Sequence, residues 1–137
     1  MKFKTLHGGV RSVFKPKKYL IDWDGKSRSK FQAEAKAFLR QYWESHIGVF
    51  EEFPVAGTLM SLDFYNSYRR IAIEVQGRQH RKYVPFFHQN NVYNLTNQMS
   101  NDRDKLQFCE MNDIKLVEIY KKEELSESFF KKCGVSL

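Results

Sequence analysis

Between Ser61 and His80 the chain reads Ser-Leu-Asp-Phe-Tyr-Asn-Ser-Tyr-Arg-Arg-Ile-Ala-Ile-Glu-Val-Gln-Gly-Arg-Gln-His, and no other stretch restricts the possible folds as much. Ile71, Ile73 and Val75 alternate with Ala72, Glu74 and Gln76, the period of a strand with one apolar and one polar face. Asn66-Ser67 supplies turn chemistry before that strand, so the segment is expected as a β-hairpin. Pairing the strands brings Asp63 to the face that carries Glu74 and Gln76. A four-residue loop, Asn66 to Arg69, sets Asp63 opposite Ala72 and makes Glu74 its diagonal neighbour at about 7–8 Å. Two carboxylates at that separation can share a divalent metal ion. A two-residue loop sets Asp63 opposite Arg70 and takes Glu74 out of reach. A hairpin whose polar face is simply solvated is the competing reading, and the surrounding sequence has to arbitrate.

At 137 residues, 42% hydrophobic and with twelve Phe, the chain is sized for one domain with a single packed core. No run approaches the length of a membrane span. The start, Met1-Lys-Phe-Lys-Thr-Leu-His, lacks the apolar core of a signal peptide, so the expected location is the cytoplasm of the cell that makes the protein. Cys109 and Cys133 are too few and too isolated for a disulfide framework or a zinc knuckle.

The net charge of +7 bears on partners rather than on fold. Basic residues cluster at Lys15, Lys17 and Lys18, at Lys26, Arg28 and Lys30, and at Arg69, Arg70, Arg78, Arg81 and Lys82. Such patches suit a phosphate backbone, whose neutralisation releases counterions. Double-stranded DNA is the expected partner, and a membrane is not.

Along the chain, residues 1–24 are expected as a basic arm and 25–137 as the folded domain. Val10, Ser12 and Phe14 suit a short strand that Pro16 ends. A helix is expected from Ser27 or Ser29, with Phe31, Ala35, Phe38, Leu39 and Tyr42 as its apolar stripe. Glu34 lies on or beside that stripe, where a carboxylate needs a partner; an exposed position paired with Arg40 or a lysine is the alternative. A strand from Val49 to Phe53 precedes the hairpin. Residues 81–93 interleave basic and aromatic side chains, which suits either DNA contact or a cap over the core.

A second helix falls within 92–112. There Asp102 occupies a gap in the apolar stripe, or else follows Ser100 as a first-turn acid. A strand over Ile114–Ile119 and a last helix over Lys121–Lys132, stopped by Gly134, complete the order.

Helix, strand, acid-bearing hairpin, helix, strand, helix, with Glu34, Asp63 and Glu74-Val75-Gln76 in place, resembles the PD-(D/E)XK nuclease superfamily. Ile73-Glu-Val-Gln-Gly-Arg-Gln-His80, Asn101-Asp-Arg-Asp-Lys105 and Phe108-to-Glu118 are similar to the branch of very-short-patch-repair and EDxHD homing endonucleases. The resemblance covers roughly residues 27–120. It implies an α/β fold with a restriction-endonuclease-like core, a mixed central sheet flanked by helices. It also implies a phage or mobile-element endonuclease that hydrolyses DNA with Mg²⁺, for which Mn²⁺ can substitute.

On that resemblance Glu34, Asp63, His80 and Asp102 match the four letters of EDxHD, with Asp63 as the chief metal ligand and Glu74 either completing the metal's shell or holding a metal-bound water. His80 is expected to move protons, Asp102 to orient it, and Gln76 to position water. Lys105 follows Asp102 at the family's spacing and is expected, with Arg69, Arg70, Arg78, Arg81, Lys82, Lys15, Lys17 and Lys18, to hold DNA. Two departures stand out: Leu62 precedes Asp63 where the family has proline, and Gln76 replaces its lysine. One domain cuts one strand, so a double-strand break implies a homodimer or a second encounter. The rivals are a structure-selective resolvase on the same fold and a non-catalytic DNA-binding protein with a decayed site.

Overall fold

A computed structural model describes residues 1–76 and 101–137 of the chain. In order it contains β1 (Lys2–Lys4), β2 (Val10–Ser12), α1 (Lys30–Trp43), β3 (Val49–Pro54), β4 (Ser61–Asn66), β5 (Ile71–Val75), α2 (residues 101–111), β6 (Lys115–Ile119) and α3 (Glu127–Lys132). Strands β3, β4, β5 and β6 lie side by side in that order; β5 pairs parallel with β6, and the other pairs are antiparallel. β1 and β2 form a separate two-stranded hairpin. The architecture is α/β, a mixed four-stranded sheet with helices.

Alternation along β5 divides the core in two. Ile71 and Ile73 pack with Ala35, Leu39 and Trp43 of α1, Val117 and Ile119 of β6 and Phe130 of α3. Ala72 faces the other way, toward Phe50, Phe53, Leu62 and Tyr65, under Phe108 and Cys109 of α2. Phe3 and Val13 belong to this second cluster. Residues 1–24, expected as an arm, are therefore packed against the domain. The Phe3 ring centroid lies 5.7 Å from those of both Phe53 and Phe108. The Asn112 side chain accepts from the Lys4 N–H and donates to the Lys4 carbonyl, at 2.8 and 3.0 Å, pairing with β1 as another strand would.

Helix α1 begins at its expected cap: the Ser29 hydroxyl accepts from the Gln32 N–H at 3.1 Å. Its buried stripe is rotated from the expected one and comprises Gln32, Ala35, Lys36, Leu39 and Trp43, with Phe31, Phe38 and Tyr42 on the flank. The rotation follows from partners on β3. The Lys36 ammonium pairs with Glu51 at 2.8 Å, and the Gln32 amide bonds both Glu51 and Glu52. A buried lysine is tolerable only with such a counter-charge.

The last helix is interrupted. A 3₁₀ turn at Lys122–Glu124 precedes Ser126, whose hydroxyl caps α3 by accepting from the Phe129 N–H at 3.2 Å. Gly134, at φ 81°, closes it with bonds from its own N–H to the Lys131 carbonyl and from the Val135 N–H to Phe130.

The hairpin loop has four residues, but they are 67–70 rather than 66–69. Asn66 ends β4 instead of opening the turn. It is fully buried; its amide nitrogen meets His46 Nδ1 at 3.0 Å and its side-chain oxygen accepts from the Arg69 N–H at 3.0 Å. An asparagine that closes a turn through its own side chain belongs at the strand's end.

Candidate active site

That one-residue difference moves the pairing by two positions. Tyr65, and not Asp63, faces Ala72, and the next pair is Phe64 with Ile73. The following pair in register is Asp63 with Glu74, so the two acids stand directly opposite each other rather than diagonally. Glu51 pairs with Phe64 and Phe53 with Leu62, which sets Glu52 opposite Asp63 on the other side. Glu74 pairs with Glu118 of β6. One row across the sheet thus carries Glu52, Asp63, Glu74 and Glu118, an acid from each strand.

From β3 to β5 the ladder opens along this row, and between β4 and β5 carboxylates replace its bonds. The Asp63 N–H donates to Glu74 Oε2 at 2.7 Å, and the Val75 N–H donates to Asp63 Oδ2 at 2.8 Å. Glu52 adopts φ 55°, a left-handed conformation rare for a residue with a side chain. It shifts the alternation of β3: Phe50 and Phe53, three residues apart, enter the same cluster. The carboxylate of Glu52 is held by the Arg28 guanidinium at 2.6 Å, the Gln32 amide at 3.1 Å and the Ser61 hydroxyl at 3.1 Å.

Asp63 and Glu74 are 8% and 4% exposed, which leaves little water to solvate two negative charges. Burial pushes the Asp63 carboxyl up to about 6, and the charge of Glu52 adds to the rise, against the Val75 N–H and Lys105. Burial pushes Glu74 up to about 7, with Asp63 raising it further and Lys105 opposing. Lys105 reaches in from α2, its ammonium 2.5 Å from Glu74 Oε1.

A cleft of about 320 Å³ opens over the pair, lined by Asp63, Glu74, Gln76, Asp102, Lys105 and Arg28 together with Ser29, Gln32, Val75 and Asn101. Helical spacing explains the α2 contribution. Asn101, Asp102 and Lys105 lie on the same side of the helix as Phe108 and Cys109, so packing the apolar pair on the sheet turns these polar residues into the cleft. Gln76 continues the parallel ladder through its N–H to the Ile119 carbonyl at 2.7 Å. Its side-chain amide points to Asp102 at 3.4 Å and Glu118 at 3.5 Å. Glu118 also accepts from the Tyr120 hydroxyl at 2.5 Å.

Of the residues expected to form a site, Asp63, Glu74, Gln76, Asp102 and Lys105 meet in this cleft. Glu34 does not. It lies two residues beyond Gln32, on the far side of α1, in a separate cleft with Lys30, Phe31 and Tyr120. There it sits 4.0 Å from Lys122, the lysine-paired alternative. His80, Arg78, Arg81 and Lys82 lie outside the described residues, as does the stretch 81–93.

Arg69 and Arg70 sit in the hairpin turn, at the opposite end of β4 and β5 from the acid pair. The Arg70 guanidinium donates to the carbonyls of Asn112 and Asp113, satisfying the C-terminus of α2. Lys15, Lys17 and Lys18 are exposed around the 3₁₀ turn Pro16–Tyr19.

The expected site lacked Arg28, Ser29, Gln32, Glu52, Asn101 and Glu118, although Arg28 stood in a basic patch and Ser29 as a candidate helix cap. Gln32, breaking the apolar stripe one residue after Phe31, was a legible signal. Glu52 carried none, since alternation alone puts neighbouring Glu51 and Glu52 on opposite faces and says nothing of a left-handed turn.

Among the described residues the carboxylates of the cleft offer oxygen donors. Among the described residues, no group of three His, Cys, Asp or Glu side chains is arranged to hold a metal by itself. Two opposed carboxylates suit a hard cation that keeps most of its waters.

The sheet and cleft define an α/β molecule with an acid-lined polar site at one end of a mixed four-stranded sheet. No family model and no solved structure matches the chain. It is similar to Uncharacterized protein 094L of Frog virus 3 (isolate Goorha), at 39% identity over 66 residues, 48% of this chain and 43% of that protein. It is also similar to Uncharacterized protein 307L of Invertebrate iridescent virus 6, at 32% identity over 60 residues, 44% of this chain and 30% of that protein. The chain thus spans less than half the length of either viral relative. Among the described residues no helix is long and apolar enough to cross a membrane.

Proposed function

We propose that the chain is a metal-dependent DNA endonuclease built on a restriction-endonuclease-like core, of the small homing or phage type. The observation that carries this reading is the Asp63–Glu74 pair. Two buried carboxylates face each other at the floor of an open polar cleft, each bonded to the other's strand backbone. The fold holds like charges together at a cost, and functional sites are where such arrangements concentrate.

Asp63 and Glu74 would hold Mg²⁺. When bound, that ion supplies charge neutralisation at the phosphorus and a more acidic water. Lys105 gives the cleft the positive charge that Gln76 lacks, arriving from α2 instead of β5. Its role is therefore in the centre of the site and not only in gripping DNA. Gln76 cannot ionise, but its amide oxygen can accept from a water while its nitrogen is directed at Asp102 and Glu118. Proton transfer falls to His80, with Asp102 as the group that orients it. The net charge of +7 supports a polyanionic substrate.

Incubation of supercoiled plasmid with Mg²⁺, comparing wild type with Asp63→Asn, tests the reading. Nicking or linearisation by the wild type alone is the expected outcome. Preference for branched over linear DNA would point to a resolvase on the same core. The replacement of the usual lysine by Gln76 favours a non-catalytic DNA-binding protein as the second reading. Binding without cleavage by both proteins, across plasmid, linear and branched DNA, would establish that second reading in place of the first.

A further inference from the structure

We propose that Arg28 is a substrate-contacting residue of this cleft, a fixed guanidinium that grips a phosphate of the nucleic acid beside the Asp63–Glu74 pair. The proposal rests on the nucleic-acid reading and takes Arg28 from a general basic patch to a defined place in the cleft. Arg28 immediately precedes the Ser29 cap of α1, so the start of that helix fixes its backbone at the cleft. Its side chain is 68% exposed, yet it is not adrift: one Nη2 N–H donates to Glu52 at 2.6 Å. Among the described residues that is its one hydrogen-bond partner. A guanidinium carries five N–H donors in a planar fork, so most of them stay available.

The anchor is itself rigid. Glu52 is held in its left-handed conformation with Gln32 and Ser61 on its carboxylate, in register with Asp63. An exposed arginine tethered in this way has already lost much of the rotamer freedom that phosphate binding would otherwise take from it. Charge points the same way. Among the described residues the cleft is lined by three carboxylates, Asp63, Glu74 and Asp102, against two cations, Arg28 and Lys105. Lys105 is half of the ion pair with Glu74 and is only 17% exposed. A phosphate entering this acid-rich cleft needs a cation whose donors are not already taken, and Arg28 stands at the rim with them. Its fork matches two phosphate oxygens at once, which an ammonium cannot do.

The test measures binding of a short DNA duplex by fluorescence anisotropy over a salt series in EDTA, and cleavage of the same duplex in Mg²⁺. Arg28→Ala is expected to lower the slope of log affinity against log salt by about one. It should also reduce kcat/KM by roughly tenfold or more. Arg28→Lys should restore the slope but not the cleavage rate, because it keeps the charge and loses the fork. Arg40→Ala removes the same charge from a position paired with Asp24 and Glu44 and should leave the slope unchanged. An unaltered slope together with unaltered kcat/KM in Arg28→Ala overturns the proposal. Wild type that binds but never cleaves sinks the nuclease reading while the slope still judges Arg28. Wild type that does not bind DNA overturns both.

Discussion

Asp63 and Glu74 are ionisable groups that the fold holds in an unfavourable charge state at neutral pH, and this has a measurable consequence at the scale of single residues. A carboxyl whose folded pKa is raised contributes stability that is complete below its unfolded value and lost as pH rises through the folded one. For Asp63 the window runs from its ordinary value of 3.8 to about 6, and for Glu74 from 4.5 to about 7. Without divalent metal, the wild type is therefore expected to lose stability between about pH 4 and pH 7, on the order of 3 kcal/mol for Asp63. Asp63→Asn keeps an acceptor for the Val75 N–H and removes the charge. Its Tm should exceed that of the wild type at pH 8, with the difference closing toward pH 4. A Tm difference that does not change with pH would refute this account of the pair. Added Mg²⁺ should raise the wild-type Tm at pH 8 and leave that of the variant unchanged, since only the wild type has two charges to bridge.

At the scale of elements, period and caps were readable and their phase was not. β5, the Ser29 cap and the Gly134 stop follow from local chemistry, and each stands where the sequence put it. The buried face of α1 turned because Gln32 and Lys36 have partners on β3, which no local rule supplies. The hairpin register moved because Asn66 is a strand residue bonded to His46, twenty positions earlier in the chain. Asn112 shows the same dependence on distant partners, joining the end of α2 to β1. Asn112→Ala leaves the Lys4 N–H and carbonyl without their partner and is expected to cost about 1–3 kcal/mol. The check is a lower denaturant midpoint with an unchanged m-value. A midpoint equal to that of the wild type would mean that β1 is not held through Asn112.

The whole molecule is a sheet covered on both faces, and its N-terminal hairpin is part of one cover. Basic composition in residues 1–24 suggested an appendage, yet Phe3 meets Phe53, Tyr65 and Phe108 at centroid distances of 5.7 to 6.2 Å. Phe3→Ala is accordingly expected to destabilise the protein by about 3–5 kcal/mol, the range for emptying a buried aromatic site. A loss below 1 kcal/mol in chemical denaturation would restore the picture of a detachable arm.

The sequence by itself determined the order of elements from α1 to β6, the acid pair Asp63 and Glu74, and the basic character of the chain, because these rest on periodicity, capping and charge within a few residues of chain. Only the tertiary structure decided which residues complete the cleft. It excluded Glu34, turned Arg70 to the end of α2, brought Lys105 to the acid that Gln76 cannot balance, and aligned Glu52 with Asp63 through one left-handed residue. These outcomes depend on strand register and helix rotation. Both are set by contacts between segments far apart in sequence, and no local pattern encodes them.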